Sequence, residues 1–148
     1  MPAMCVLIRN AALSKSALET RCPEWTVAGN QSYHNDMDCP GFSQSASIKG
    51  FPQAPEITGA GIIVAGASNN LIEHNTIWAN QPANKTPASG GLVFHTGGGK
   101  SQPDGNTIHA NILYNNLPDD IKVDPRVTGV NTFSNNQCNK SSPKGLCA

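Results

Sequence analysis

Asp120, Lys122 and Asp124 recur at every second position of the segment DIKVDP (120–125), with Asp119 and Arg126 at its ends. Alternate side chains of a strand share one face, so these types would stand in one outward row of two carboxylates and an amine, closed by a guanidinium. Such carboxylates can hold a hard divalent cation, and a neighbouring Lys or Arg can take a proton or neutralise an anion. An ordinary solvent-facing strand is also charged at these positions. A second set is aromatic: Tyr33, Trp78 and Tyr114 each lie three residues after an asparagine, at Asn30, Asn75 and Asn111. In one register they would form an outward stack, either a platform for sugar rings or a shield for the edge of the fold. Four histidines with no H-x-H or H-x-x-x-H spacing point away from a zinc site. GGGK (97–100) lacks the spacing of a phosphate-binding loop.

These groups depend on a repeat. Residues 69–80, NNLIEHNTIWAN, align with residues 105–116, GNTIHANILYNN, at an offset of 36, pairing Ile72 with Ile108, Asn75 with Asn111, Trp78 with Tyr114 and Asn80 with Asn116. VNTFSNN (130–136) places Phe133 on Ile108 and Asn136 on Asn111, NQSYHN (30–35) places Tyr33 on Trp78, and Asn10 could begin an earlier turn. A second family of apolar segments precedes them, GIIVAG (61–66), GLVFHT (91–96) and DIKVDP (120–125), in which Ile62, Val64, Leu92, Phe94, Ile121 and Val123 take the inward face. The Gly/Pro-rich tract 97–105 reads as a loop between strands. Asparagine tolerates the left-handed backbone of a sharp turn, and stacked copies can hydrogen-bond through their amides. The expected fold is therefore all-β, a right-handed parallel β-helix of about three to five coils, with Asn30, Asn75, Asn111 and Asn136 as a ladder. An antiparallel β-sandwich is the alternative, although its hairpins would not repeat one register. The register also brings His95 beside Asp124, and Glu73 beside His109 and Ser134; such a carboxylate partner can make a histidine a general acid or merely stabilise the surface.

With 148 residues the chain reads as one domain: irregular N-terminal coils and a loop in 1–58, clear repeats in 59–136 and a tail in 137–148. Sixteen Asn, 14 Gly and 11 Pro weigh against a helical bundle. Ten basic side chains balance ten acidic ones, which removes the electrostatic footprint of nucleic-acid or anionic-membrane binding. No apolar run is long enough to cross a bilayer as a helix. The apolar stretch 5–8 is too short for an export signal, yet five cysteines without a C-x-x-C pair read as staples of an exported protein, with free cytosolic thiols as the alternative. Cys22 with Cys39 and Cys138 with Cys147 would each close a short loop, leaving Cys5. The chain thus reads as a piece of an extracellular parent, whose uncapped first coil could self-associate through its open strand edge.

The segments VAGASNNLIEHNTIWAN (64–80) and DGNTIHANILYNNLPDDIKVD (104–124) resemble the parallel β-helix repeats of the pectate-lyase-like superfamily, in particular its exported bacterial members. The resemblance covers residues 59–136 well. It implies a polysaccharide or glycan partner and a groove on the outside of one sheet. There a lyase would use Asp120, Lys122, Asp124, Arg126 and His95, with Ca²⁺ as a cofactor if the reaction is elimination, and Tyr33, Trp78 and Tyr114 would touch the substrate. No other cofactor is evident. The Arg-x-Pro type of lyase signature and the N-x-D, G-H-G and R-x-K motifs of polygalacturonase-like hydrolases are missing. Two functions stay open: a polysaccharide lyase or glycoside hydrolase fragment, and a non-catalytic solenoid that binds glycan or a cell-surface partner.

Overall fold

The computed structural model describes residues 6–9, 25–35, 58–83, 86, 88–96 and 101–148. A five-residue unit generates most of what it shows: an asparagine, a three-residue strand whose middle side chain points inward, and a residue that turns the chain. In the second coil these units run Asn70, Leu71–Glu73, His74, then Asn75, Thr76–Trp78, Ala79. The strand middles Ile72, Ile77, Ile108 and Leu113 are essentially inaccessible to solvent.

Four coils follow in order. The first holds β1 (Val6–Arg9), β2 (Thr26–Ala28) and β3 (Gln31–Tyr33), and the second holds β4 (Ala60–Ala65), β5 (Leu71–Glu73) and β6 (Thr76–Trp78). The third holds β7 (Gly90–His95), β8 (Thr107–His109) and β9 (Ile112–Tyr114); the fourth holds β10 (Ile121–Val123) and β11 (Thr132–Ser134), and β12 (Ser141–Ser142) follows. Equivalent strands pair in parallel throughout, giving sheet A in the order β1-β4-β7-β10-β12, sheet B in the order β11-β8-β5-β2 and sheet C in the order β3-β6-β9. The described residues contain no helix. The chain is a parallel β-helix, and the expected registers hold: Ile62 lies on Leu92 and Leu92 on Ile121, while Ile72 lies on Ile108 and Ile108 on Phe133. Inside, Ile62, Val64, Ile72, Ile77, Leu92, Phe94, Ile108, Leu113 and Ile121 form one core.

The expected ladder of Asn30, Asn75, Asn111 and Asn136 is present: each backbone N–H and each Nδ2 donates to Oδ1 of the next asparagine, at 2.9–3.1 Å. Two more ladders run beside it. One links Asn70, Asn106 and Asn131; the other links Asn35, Asn80 and Asn116 and ends on Asp120. The left-handed backbone, however, is not on the ladder asparagine itself. It falls on the residue before it, at Gly29, His34, Asn69, His74, Ala79, Gly105, Ala110, Asn115 and Asn135. A non-glycine residue in that region costs about 1–2 kcal/mol. Several amide bonds per corner, each worth about 1 kcal/mol net, offset it.

Asp120 is not outward. It is 2% exposed, and its Oδ1 accepts N–H from the Asn116 backbone and Nδ2 while Oδ2 accepts from the backbones of Asn139 and Lys140. An acceptor-only carboxylate fits here because every group aimed at it is a donor. Gly91 lets this corner close, since a Cβ there would come 2.5 Å from the Asp120 carbonyl oxygen. At the far end Gln137 bridges to Ile112 and Cys138 falls inward, where with Leu146 it packs on the core. The expected Cys138–Cys147 disulfide fastens this closure, and the Ala148 N–H donates to the Asn136 carbonyl. The other pairing, Cys22 with Cys39, lies outside the described residues, as do Cys5, Asn10 and most of the first twenty residues on which the self-association expectation rests.

Asp120→Asn is expected to lower stability by about 1–3 kcal/mol in urea unfolding, because an amide would aim its own N–H at a donor. An unchanged midpoint would show that Asp120 does not end the ladder. Ala110→Gly is expected to raise stability by about 0.5–1 kcal/mol by relieving the left-handed corner, the gain being reduced by glycine's extra chain entropy.

Candidate functional site

On sheet A the sequence DPR builds a tight turn. Proline fixes its second position, the Val127 N–H donates to the Asp124 carbonyl at 2.9 Å, and the Arg126 N–H donates to Asp124 Oδ1 at 2.8 Å. The guanidinium of Arg126 then folds back on the same carboxylate, Nε to Oδ1 at 2.9 Å and Nη2 to Oδ2 at 2.8 Å. These bonds hold the Asp124 carboxyl well below the usual carboxylate range. Burial opposes them, and the Arg126 backbone N–H and the Arg126 charge add to the lowering. Arg126 is held above its ordinary value by the same pair.

His95 reaches this cluster from β7, with Nε2 3.5 Å from Asp124 Oδ2. Its nearer partners are the Thr96 carbonyl oxygen at Nδ1, 2.8 Å, and Arg126 Nη2 at Nε2, 2.7 Å. A carbonyl only accepts and a guanidinium only donates, so the network assigns the neutral ring with its proton on Nδ1. The nitrogen that would serve as an acid toward a ligand is thereby taken up by Arg126. Lys122 does face outward, in the column of Ile63 and Val93. That side of the sheet is partly covered, since Ile63 and Val93 are buried with Ala60 and Ala88.

The structure therefore brings His95, Asp124 and Arg126 together and separates Asp120 from them. Calcium does not fit the carboxylates of this strand. Both Asp120 oxygens and both Asp124 oxygens already accept hydrogen bonds, and Asp119 Oδ1 faces Lys140 Nζ at 3.3 Å. Among the described residues no three His, Cys, Asp or Glu side chains are grouped to hold a metal ion.

Sheet B carries the Glu73, His109 and Ser134 column in the expected register. His109 Nδ1 meets Ser134 Oγ at 3.0 Å, whereas the Glu73 carboxylate lies nearest the exposed His74, at 3.7 Å. His74 itself occupies a left-handed corner.

Sheet C holds the aromatic column. Tyr33 stacks on Trp78 with ring centroids 4.3 Å apart and planes 12° from parallel, and Trp78 on Tyr114 at 6.0 Å and 11°. The rings stand out from strand positions matched by register, while Ser32, Ile77 and Leu113 point inward between them. Tyr33 and Tyr114 are exposed and Trp78 is half-buried. Because the rings face one another, a ligand meets their outer edges, the two hydroxyls and the indole N–H, together with the faces of Tyr33 and Tyr114 turned away from Trp78. Beside them runs a second outward column, Gln31, Thr76 and Ile112, continued by the bridged Gln137. The sequence signal of this neighbouring column is simple: each member follows a ladder asparagine directly.

Comparison of the chain with protein-family models, with curated proteins and with solved structures finds no match.

The Asp124–Arg126 pair has a pH signature. A carboxylate whose pKa is depressed in the folded state adds stability above its unfolded value of about 4, and that stability is lost as pH falls through this value toward the folded one. In a carbon-13 carboxyl titration Asp124 is expected to titrate below the ordinary aspartate value, and Arg126→Gln to move its midpoint upward. Coincident midpoints in the two proteins would contradict the pairing.

Proposed function

We propose that these coils are a carbohydrate-associated module that binds glycan along the outer face of sheet C. The observation that carries this reading is the exposed, in-register column of Tyr33, Trp78 and Tyr114. Aromatic rings with polar tips suit ligands that are apolar on one side and hydroxylated on the other. Successive rings also sit one coil apart, with centroids 4.3 and 6.0 Å from one another, so an extended chain of sugars lying along the solenoid axis would meet one ring after another. Gln31, Thr76 and Gln137 add amides and a hydroxyl beside that path.

The reading favours binding over catalysis in the described coils. A lyase centre on β10 would need a free cation and a free carboxylate, whereas Arg126 and Asp124 are spent on each other and Asp120 on the ladder. Membership of the pectate-lyase-like superfamily belongs to this proposal and is compatible with the parallel coils and asparagine ladders. An extracellular parent belongs to it as well, and the Cys138–Cys147 disulfide suits an oxidising compartment.

Titration calorimetry against a panel of soluble plant and bacterial polysaccharides tests the reading. Trp78→Ala is expected to weaken binding at least about tenfold, the equivalent of about 1.4 kcal/mol. Trp25→Ala, at an exposed position just before β2, is expected to leave it unchanged. No binding by any polymer, or equal binding by Trp78→Ala, would overturn the proposal.

A further inference from the structure

We propose that the glycan taken by sheet C is neutral, not a polyuronate; this rests on the glycan-binding reading above. Register decides which side chains a ligand would meet. The outward positions are Gln31, Thr76 and Ile112 in one column and Tyr33, Trp78 and Tyr114 in the other, with Gln137 continuing the first. Two amides, a threonine hydroxyl, two phenols, an indole and an isoleucine make up this surface. Among the described residues these seven positions hold no lysine, arginine, aspartate or glutamate.

A polyuronate would bring one carboxylate per sugar onto these rings. Each would give up part of its hydration beside apolar surface and gain no cation in return, which is unfavourable for a charged group. Several charged groups of the described residues lie elsewhere. Arg126 and Asp124 pair at the turn after β10, Lys122 stands on sheet A, and Glu73 stands on sheet B. Lys140, after the bridged Gln137, lies 3.3 Å from Asp119 and donates to the Pro118 carbonyl. The ionisable ring that touches the aromatic column is His34, edge-on to Tyr33 with centroids 5.8 Å apart.

Hydroxyl groups of a neutral sugar match this surface better. They both donate and accept, as do the carboxamides of Gln31 and Gln137 and the hydroxyls of Thr76, Tyr33 and Tyr114. Among the described residues no protein group hydrogen-bonds the Tyr33 and Tyr114 hydroxyls or the Trp78 indole N–H.

The test compares hexagalacturonate, its fully methyl-esterified form and the neutral hexaoses of glucose, xylose and mannose. It is run by calorimetry at low salt and about pH 8, above the ordinary histidine range, so that a charged imidazole does not contribute. At least one neutral ligand is expected to bind at least about tenfold more tightly than hexagalacturonate, a ratio that salt should barely change and Trp78→Ala should abolish. Preferred, Trp78-dependent binding of hexagalacturonate would overturn the neutral specificity and leave the glycan-binding reading standing. Failure of every ligand to bind would remove that reading and this inference together.

Discussion

Each asparagine buried at a corner of this solenoid carries a side-chain amide, a backbone N–H and a carbonyl that lose water on folding and must find partners. Leaving one unpaired costs about 1–3 kcal/mol. The corners satisfy them in one arrangement: N–H and Nδ2 donate to Oδ1 one coil on, and Nδ2 donates to a carbonyl of the preceding coil, as Asn75 does to Val27 and Asn111 to Ile72. That arrangement exists only when neighbouring coils are parallel and in one register. A slip by one residue would break all three ladders and turn Ile72, Ile108 and Phe133 outward together.

The outward columns of the described strands inherit this register. The aromatic column, the Gln/Thr column and the Glu73–His109–Ser134 column are each the shadow of a ladder position, because a fixed number of residues separates them from an asparagine. The ladders also account for residues that look like chemistry. Asp120 is an asparagine site with its amide replaced, at the one place where four donors converge. Asp124 accepts the N–H groups of its own turn. A row of carboxylates in the sequence thus becomes a ladder terminus and a turn, two structural tasks that call for an acceptor.

Much of the fold was legible because strand periodicity and the asparagine spacing report the same register twice. Ile62, Leu92 and Ile121 alternate, and Asn75, Asn111 and Asn136 recur, so either signal checks the other. The Tyr33, Trp78 and Tyr114 stack followed from that register alone. Alternation predicts which side of a strand a residue takes, whereas Asp120 precedes the strand and belongs to the corner, so alternation does not place it. Propensity favours asparagine as the left-handed residue, which points to the ladder position itself. The actual occupants include Ala79 and Ala110, whose strain is compensated by bonds from the residue that follows. The pairing of His95 with Arg126 could not be read at all, since it depends on how a turn folds back across coils.

The central claim is that buried side-chain amides, bonded coil to coil, hold the solenoid in register. Hydrogen exchange of the asparagine carboxamides, followed by nitrogen-15 NMR, measures those bonds directly. The account predicts that the NH₂ groups of Asn75, Asn80, Asn106, Asn111, Asn116 and Asn136 exchange far more slowly than those of the corner residues Asn115 and Asn135, whose side chains are exposed. Equal, rapid exchange at all eight would contradict it.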